Sequence, residues 1–189
     1  MRPFSHLDIA HMFWQNIVNP GDTVLDATAG NGHDSFFLAS IALQDPKGKL
    51  IAFDIQKTAL EHTKARLKEF PQEQIALYEM CHSRMNEVAA SCSVKLIAFN
   101  LGYLPGGDKS VTTLVSSTLA AITAALNLAA PGGLISITCY PGHSEGLVEE
   151  NAILPLCQSL DPKQWTISSH TFMNRTRHPH LILLQRHDQ

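Results

Sequence analysis

The sequence predicts an α/β fold whose mostly parallel, seven-stranded sheet carries helices on both faces. Five short apolar runs, each followed by a polar or glycine-containing turn, predict strands at 24–25, 50–53, 75–78, 96–99 and 134–138. Helical periodicity follows each of them, at about 33–43, 56–69, 83–90, 110–128 and 144–159. Continuous apolar strands that alternate with helices are typical of a parallel sheet buried on both sides.

The last part of the chain follows a different pattern. Two β-rich runs, 165–172 and 181–185, have no helix between them. Consecutive strands joined only by a loop pair antiparallel. We therefore predict an antiparallel hairpin at the C-terminal end of the sheet. Five parallel strands plus such a hairpin resemble the Rossmann-like fold of class I methyltransferases, whereas an ordinary dinucleotide-binding fold lacks the hairpin.

Composition limits the classes of protein to consider. The 189 residues are 44% hydrophobic and 16% charged, which is typical of a globular protein and predicts a single domain over residues 1–189. The net charge of −3 means that any contact with nucleic acid needs a local basic patch. The four cysteines form no C-x-x-C pair, as expected of reduced thiols, and the first residues lack the features of a signal peptide. We predict a cytoplasmic location.

One uncharged segment, 110–144, is long enough to span a bilayer. Pro131-Gly132-Gly133 interrupts it and several Ser and Thr residues make it polar, which favours a buried helix followed by a strand. The ten histidines form no H-x-x-x-H pair and none stands at ligand spacing from a cysteine. We therefore predict neither membrane association nor a metal site.

A glycine-containing loop, VLDATAGNGHDS, follows the first predicted strand. Gly30 and Gly32 allow a tight turn at the N-terminus of the next helix, and Ser35 stands where a dinucleotide fingerprint has a third glycine. Asp54 ends the second predicted strand, where an acid can accept both hydroxyls of a ribose. A plain strand-to-helix turn is the alternative interpretation of the loop. The loop and the acid together resemble an S-adenosylmethionine (SAM) site.

The resemblance implies roles for a defined set of residues. Asp26 and the Gly30–Gly32 backbone would hold the methionine end of SAM and Asp54 its ribose, with Gln56 and the turn at His82 flanking the adenine. An ordinary helix cap is an equally good explanation of His82 and Ser83. The full predicted cofactor set is Asp26, Thr28, Gly30, Asn31, Gly32, Asp34, Asp54, Gln56, His82, Ser83 and Asn100.

The fourth predicted strand ends in FNLGYLP. Asn100 offers an amide and Tyr103 an aromatic ring at the sheet edge where such folds bind ligands. The stretch resembles the Asn/Asp-Pro-Pro-Tyr motif of amino-methyltransferases, with Leu-Gly in place of Pro-Pro. That motif aligns the acceptor amine, and positioning is most of what methyl transfer needs. The alternative is that Asn100 caps a turn and Tyr103 fills the core.

Three segments extend the resemblance over essentially the whole chain: DATAGNGHDSFFLA, FNLGYLPGGDKSVTT and YPGHSEGLVEENA. They resemble a bacterial family long labelled rRNA methylases and now known as the YtqB-type or MnmM proteins, the tRNA 5-aminomethyl-2-thiouridine methyltransferases. The resemblance implies methylation of 5-aminomethyl-(2-thio)uridine to 5-methylaminomethyl-(2-thio)uridine at the wobble position, with the tRNA anticodon stem-loop as partner. The predicted catalytic residues are Asn100 and Tyr103, with Tyr140 and His143 of the turn after the fifth parallel strand, and Tyr103, Gly106 and Asp108 would contact the substrate. Lys109, Arg175 and Arg177 add positive charge on loops that we place at the same edge, where they would contact RNA, although a solvated loop explains the charge equally well.

Several alternatives stay open at this point. The protein could methylate rRNA or a small molecule, or hold SAM or a nucleotide without chemistry. The group that accepts the amine proton could be Asn100, Asp34, Tyr140 or His143. Small residues on the predicted helix at 110–127 suggest a homodimer, unless that helix is simply buried against its own sheet.

Overall fold

Seven strands form one sheet in the structure, a computed structural model that describes residues 4–104, 106, 112–142, 144–176 and 178–188. The strands are β1 (Thr23–Asp26), β2 (Lys49–Asp54), β3 (Ile75–Glu79), β4 (Val94–Asn100), β5 (Ala129–Cys139), β6 (Trp165–His170) and β7 (His180–Arg186). Their spatial order is β3-β2-β1-β4-β5-β7-β6. Strands β1 to β5 pair in parallel, and β7 lies antiparallel between β5 and β6. The predicted fold class is confirmed, including its C-terminal hairpin.

The helices surround this sheet. They are α1 (His6–Ile17), α2 (His33–Ala42), α3 (Lys57–Arg66), α4 (Val115–Leu128) and α5 (Ser144–Gln158). We predicted no element for the segment that forms α1. The segment predicted as a helix at 83–90 forms a short 3-10 helix, His82–Glu87, which is the usual form of a connection with room for only one or two turns. None of the helices in the described ranges is long and apolar enough to cross a membrane.

Strand β5 begins earlier than predicted and runs through Pro131-Gly132-Gly133. Two features allow a strand to contain these residues. Gly132 has a φ of +63°, which a side chain would strain. The pairing of β4 with β5 also shifts register between Val94 and Leu96, as in a β-bulge.

Both faces of the sheet are buried. Leu96 and Ala98 of β4 face one core, which contains Trp14 of α1 and Leu38 of α2. The alternate residues of the same strand face a second core, built with residues of α4 and α5. Helix α1 is fixed at its start by a capping box, in which Ser5 and Asp8 satisfy each other's backbone N–H groups. The buried side chain of Trp14 then joins α1 to the core on this face of the sheet.

The carboxyl ends of the parallel strands meet at one edge. Asp26, Asp54 and Asn100 end three neighbouring strands, and Tyr140 directly follows the fourth. Polar residues at this edge are positioned by buried strands, so their backbones are held in fixed relation to one another.

Candidate active site

A cavity of about 1060 Å³ opens at this edge of the sheet. Its wall is formed by the segments after β1, β2, β3, β4 and β5 and by the first turns of α1. Most of the predicted cofactor residues line it, namely Thr28, Gly30, Asn31, Asp34, Asp54, Gln56, His82 and Asn100. The predicted residues Tyr103 and Tyr140 line it too. A volume of this size fits a cofactor and part of a substrate together.

The glycine loop, residues 27–32, is held from two sides. Gly30 N–H donates to Asp54 Oδ2 at 2.9 Å, and Thr63 Oγ1 of α3 donates to the Gly30 carbonyl at 3.1 Å. Gly30 and Gly32 both have positive φ, and a Cβ on Gly32 would lie 2.8 Å from the Thr63 Cα. The loop therefore needs glycine at position 32 for its close packing on α3, although Gly32 itself does not line the cavity.

Asp54 is half-buried at the end of β2. Its two carboxylate oxygens accept hydrogen bonds from Gly30 N–H and from Gln56 N–H, the latter at 2.8 Å. Each carboxylate oxygen has a second lone pair, so the group can still accept ribose hydroxyls. The next residue, Ile55, lines the cavity with 56% of its surface exposed and supplies an apolar contact for a base. Sequence reasoning missed Ile55, although an apolar residue after a strand-end acid was a visible signal.

Asp26 lies behind the cavity wall and does not line it. Its carboxyl group accepts from Ser35 Oγ at 2.6 Å and from Thr28 N–H at 3.1 Å. Burial, with a smaller contribution from Asp34, raises the pKa of Asp26 to about 7. Its position supports the loop through Thr28, whereas we predicted a direct cofactor contact. Ser83 also lies outside the cavity wall, and its hydroxyl donates to Cys81 Sγ.

His82 is buried at the base of the cavity and stacks edge-on against Phe99. Its Nδ1 lies 3.2 Å from the Ala27 carbonyl, and burial lowers its pKa. A neutral imidazole that donates through Nδ1 leaves Nε2 as an acceptor. This Nε2 is buried and has no hydrogen-bond partner among the described residues. An unpaired acceptor in this place fits the amino group of an adenine.

Five side chains form a polar network across the cavity. His11 Nε2 lies 2.8 Å from Asp34 Oδ1, and Asn100 Nδ2 donates to Asp34 Oδ2. Tyr140 Oη donates to Asn100 Oδ1 at 3.2 Å, and His6 Nε2 lies 3.0 Å from the same hydroxyl. Burial raises the pKa of Tyr140 and lowers that of His6, so both stay uncharged at neutral pH. The network therefore contains three of the four candidate acceptors of the amine proton, namely Asn100, Asp34 and Tyr140.

Sequence reasoning missed His6 and His11, because it assigned no element to α1. Two signals could have found that helix. Ser5 and Asp8 have the spacing of a capping box, and Leu7, Ala10 and Trp14 repeat at helical spacing behind it. Placing the two histidines beside Tyr140 and Asp34 would still have required the tertiary structure.

The segment after Asn100, called here the acceptor loop, comprises the described residues 101–104 and 112–113. Its two ends pair through a bridge between Tyr103 and Thr112, and Gly102 N–H donates to Thr113 Oγ1 at 2.9 Å. Thr113 Oγ1 in turn donates to Glu149 Oε2 of α5 at 2.9 Å. Tyr103 is 37% exposed at the cavity mouth. The loop thus presents an aromatic ring on an anchored backbone.

The other predicted substrate residues are more distant or cannot be placed. Gly106 is exposed and does not line the cavity. Arg175 is exposed, lies 5.1 Å from the Phe172 ring centroid and does not line the cavity either, although Pro179 of the same hairpin loop does. His143, Asp108, Lys109 and Arg177 lie outside the described residues. The described part of the chain contains no cluster of three or more potential metal ligands.

The sheet order, the glycine loop joined to a strand-end acid and the polar cavity together define a class I methyltransferase. The chain belongs to the family described as "Putative rRNA methylase", which matches residues 50–186. It is 37% identical over 185 residues to the chloroplastic tRNA (mnm(5)s(2)U34)-methyltransferase of Arabidopsis thaliana, covering 94% of this chain and 68% of that protein.

Solved structures agree with this assignment. A "putative rRNA-methylase" from Clostridium thermocellum has 32% identity and a TM-score of 0.91, with 98% of this chain and all of that chain covered. A "putative methyltransferase" from Streptococcus mutans, solved in complex with SAH, has 29% identity and a TM-score of 0.86, with 98% and 99% covered. The predicted membership of this methylase family is confirmed.

Proposed function

We propose that the protein is a SAM-dependent N-methyltransferase that converts 5-aminomethyl-(2-thio)uridine at the wobble position of tRNA to 5-methylaminomethyl-(2-thio)uridine. The observation that carries the proposal is the polar network, which gathers hydrogen-bond acceptors for an amine in the cavity that the glycine loop and Asp54 line. The activity named for the Arabidopsis relative supports the same substrate. Residues 1–189 form one catalytic domain in this proposal, and its place of action is the cytoplasm.

The residues present fit the cofactor. Asp54 would hold the ribose hydroxyls, the glycine loop the methionine end, and Ile55 with His82 the adenine. When bound, SAM supplies a methyl group on a positively charged sulfur. The backbone N–H groups and fixed side chains of the loop orient the cofactor without rearrangement, because the loop is already tied to β2 and α3.

The acceptor amine must first lose a proton, because a primary alkylamine is mostly protonated at neutral pH. Asp34 is the acceptor that the geometry favours: its carboxylate contacts both Asn100 and His11, so a proton received at Oδ1 can be shared with the imidazole. Burial raises the pKa of Tyr140, so in this proposal Tyr140 keeps its proton and acts as a donor that fixes the Asn100 amide. Asn100 and Asp34 would then hold the neutral amine in line for transfer.

The cavity mouth fits a base taken out of a single-stranded loop. Tyr103 is partly exposed there, and Leu114 lines the same mouth with 62% of its surface exposed. Anticodon bases are unpaired and can be stacked on aromatic side chains. A uracil ring placed against Tyr103 would extend its 5-aminomethyl group toward Asn100.

The direct test is methylation of tRNA by the purified protein. We expect tRNA that carries 5-aminomethyl-2-thiouridine to lose this nucleoside and gain 5-methylaminomethyl-2-thiouridine when incubated with the protein and SAM, as measured by nucleoside mass spectrometry. The matched control is tRNA whose wobble uridine lacks the aminomethyl group. Methylation of rRNA but not of tRNA, or cofactor binding without any transfer, would contradict the proposal.

A further inference from the structure

A second, smaller cavity of about 550 Å³ lies beside the first. Asn31 and His33 line both cavities, and His62, Ala65 and Arg66 of α3 line only the smaller one. His33, His62 and Arg66, called here the basic cluster, are all exposed. None of them belongs to the predicted cofactor or substrate set. The cluster therefore places the guanidinium of Arg66 and two imidazoles at the rim of the active site, and none of the three residues has a role in the reaction described above.

Arg66 is held in place without being neutralised. Its Nε donates to the Asn31 carbonyl at 2.8 Å, and its Nη2 lies 3.3 Å from His33 Nε2. His62 Nδ1 lies 3.1 Å from Asn31 Oδ1. Within the ranges that the structure describes, no carboxylate forms an ion pair with this guanidinium. A guanidinium that is held in place and that no carboxylate neutralises is suited to binding an oxyanion.

The surroundings favour a nucleic-acid phosphate over a free anion. His33 begins α2, whose N-terminal dipole adds positive potential at the same point. Phe36, one turn further along α2, is exposed and packs edge-on against Phe70, which lies one turn beyond Arg66. Basic groups beside an exposed aromatic ring are typical of single-stranded RNA surfaces.

We propose that the basic cluster binds a backbone phosphate of the tRNA, next to the nucleotide that enters the active site. The inference rests on the proposed function, because it takes tRNA as the substrate. It assigns RNA contact to the α2–α3 side of the cavity mouth, in addition to the acceptor loop and the hairpin loop predicted from sequence.

The test measures binding of an anticodon stem-loop RNA over a series of salt concentrations, for example by fluorescence anisotropy. A phosphate contact to single-stranded nucleic acid contributes a slope of about −0.7 to log K against log salt, which corresponds to about fivefold in affinity at 0.1 M salt. We expect Arg66→Gln to lose about this much affinity and slope. Arg66→Lys should retain most of both, because it keeps the charge. SAM affinity, measured by calorimetry, should change less than RNA affinity in either variant, because the glycine loop keeps its bonds to Asp54 and Thr63.

Two substitutions at Ala65 change the charge beside the basic cluster while the side chain of Arg66 and its hydrogen bonds remain. Ala65 is exposed and lines the same cavity. We expect Ala65→Glu to weaken RNA binding and Ala65→Lys to strengthen it, in a salt-dependent way. Arg84→Gln is the matched control, since Arg84 lies outside both cavities and is already paired with Glu87.

The outcomes distinguish the possible errors. If Arg66→Gln and the Ala65 variants all bind RNA as the wild-type protein does, the cluster binds no phosphate. If SAM affinity falls in the Arg66 variants while RNA affinity holds, the anion is the carboxylate of the cofactor and the inference is wrong. If either result is obtained while the wild-type protein methylates tRNA, the inference about the basic cluster is wrong but the proposed function is not contradicted. A wild-type protein that neither binds nor methylates tRNA ends both.

Discussion

Asn100 is fixed by three hydrogen bonds that leave its amide little freedom. Its backbone N–H donates to Thr28 Oγ1 at 2.7 Å, its Nδ2 donates to Asp34, and its Oδ1 accepts from Tyr140. Because Tyr140 Oη is a donor and Asp34 an acceptor, the amide oxygen and nitrogen cannot exchange places. The orientation of this side chain therefore depends on α2 and on the loop after β5, and the loop after β1 holds its backbone.

Asn100→Ala is expected to reduce the turnover of tRNA roughly 100-fold or more, because loss of a positioning group displaces the reacting amine. SAM affinity should change little, since the glycine loop and Asp54 remain. Turnover is measured by nucleoside mass spectrometry and SAM binding by calorimetry, with the exposed Asn16→Ala as control. Turnover within a few-fold of wild type, together with a collapse of SAM binding, would make Asn100 a cofactor residue instead.

Asp54→Ala is expected to weaken SAM binding by about 1.5–3 kcal/mol, the usual contribution of hydrogen bonds to a charged group. Calorimetry measures the effect. Glu79→Ala is the matched control, because Glu79 stands opposite Asp54 in the register of β3 but is exposed and outside the cavity. Unchanged affinity in Asp54→Ala would mean that the ribose lies elsewhere.

The raised pKa of Asp26 predicts that the free energy of unfolding depends on pH. Its pKa is raised to about 7 in the folded protein, so between about pH 4 and pH 7 the folded state binds a proton that the unfolded state has lost. The stabilisation from this proton is fully present below about pH 4. It is lost progressively as the pH rises, until the pH has passed about 7. Asp26→Asn removes it, since an amide does not titrate.

We therefore expect wild-type protein to lose about 2–3 kcal/mol of unfolding free energy relative to Asp26→Asn between pH 5 and pH 7. Urea denaturation at the two pH values measures the difference. Asp161→Asn, at an exposed turn, controls for loss of a carboxylate. An unchanged difference between the two proteins over this range would show that the hydrogen bonds from Ser35 and Thr28 keep Asp26 ionised.

At the scale of elements, α4 and α5 position the acceptor loop. Glu149 of α5 is only 3% exposed, and its carboxylate accepts from Thr118 of α4 at 2.5 Å and from Thr113 of the loop at 2.9 Å. Thr113 also accepts from Gly102 N–H, two residues after Asn100. The position of Tyr103 therefore depends on how α4 and α5 pack against each other behind the acceptor loop.

Glu149→Gln is expected to raise the KM for tRNA several-fold with a smaller effect on kcat, because one oxygen acceptor is lost and the acceptor loop is less well ordered. Steady-state methylation kinetics measure this split. Glu145→Gln, on the exposed first turn of the same helix, is the control. Equal losses of kcat and stability with an unchanged KM would give Glu149 a purely structural role.

At the scale of the whole molecule, the homodimer stays a prediction. Most of α4 is buried against the sheet, and Ser117 lines the active-site cavity, so a substitution of Ser117 would affect the site as well as any interface. The exposed face of α4 is a narrow stripe made of Ser116, Ala120, Thr123 and Asn127.

If two copies pack through this stripe, Ala120→Glu should reduce the mass measured by light scattering to that of one chain and leave SAM binding intact. Ser159→Glu, on an exposed turn outside the stripe, serves as control. A wild-type protein that is already monomeric at working concentration would end the hypothesis.

The sequence by itself determined the fold class and the position of the site. Continuous apolar runs specify buried parallel strands, and such strands bring their carboxyl ends to one edge whatever the detailed packing. The glycine loop, Asp54 and Asn100 could therefore be found from local patterns, since each is adjacent to a strand whose position the pattern fixes.

Only the tertiary structure decided which side chains touch. His6 meets Tyr140 across 134 positions of the chain, His11 meets Asp34 across 23, and Thr113 meets Glu149 across 36. Asp26 has the sequence context of a cofactor ligand but lies behind the loop, because Ser35 and Thr28 draw its carboxyl group inward. Contacts between residues so far apart depend on how the helices pack against the sheet, and local patterning of the chain carries no information about that packing.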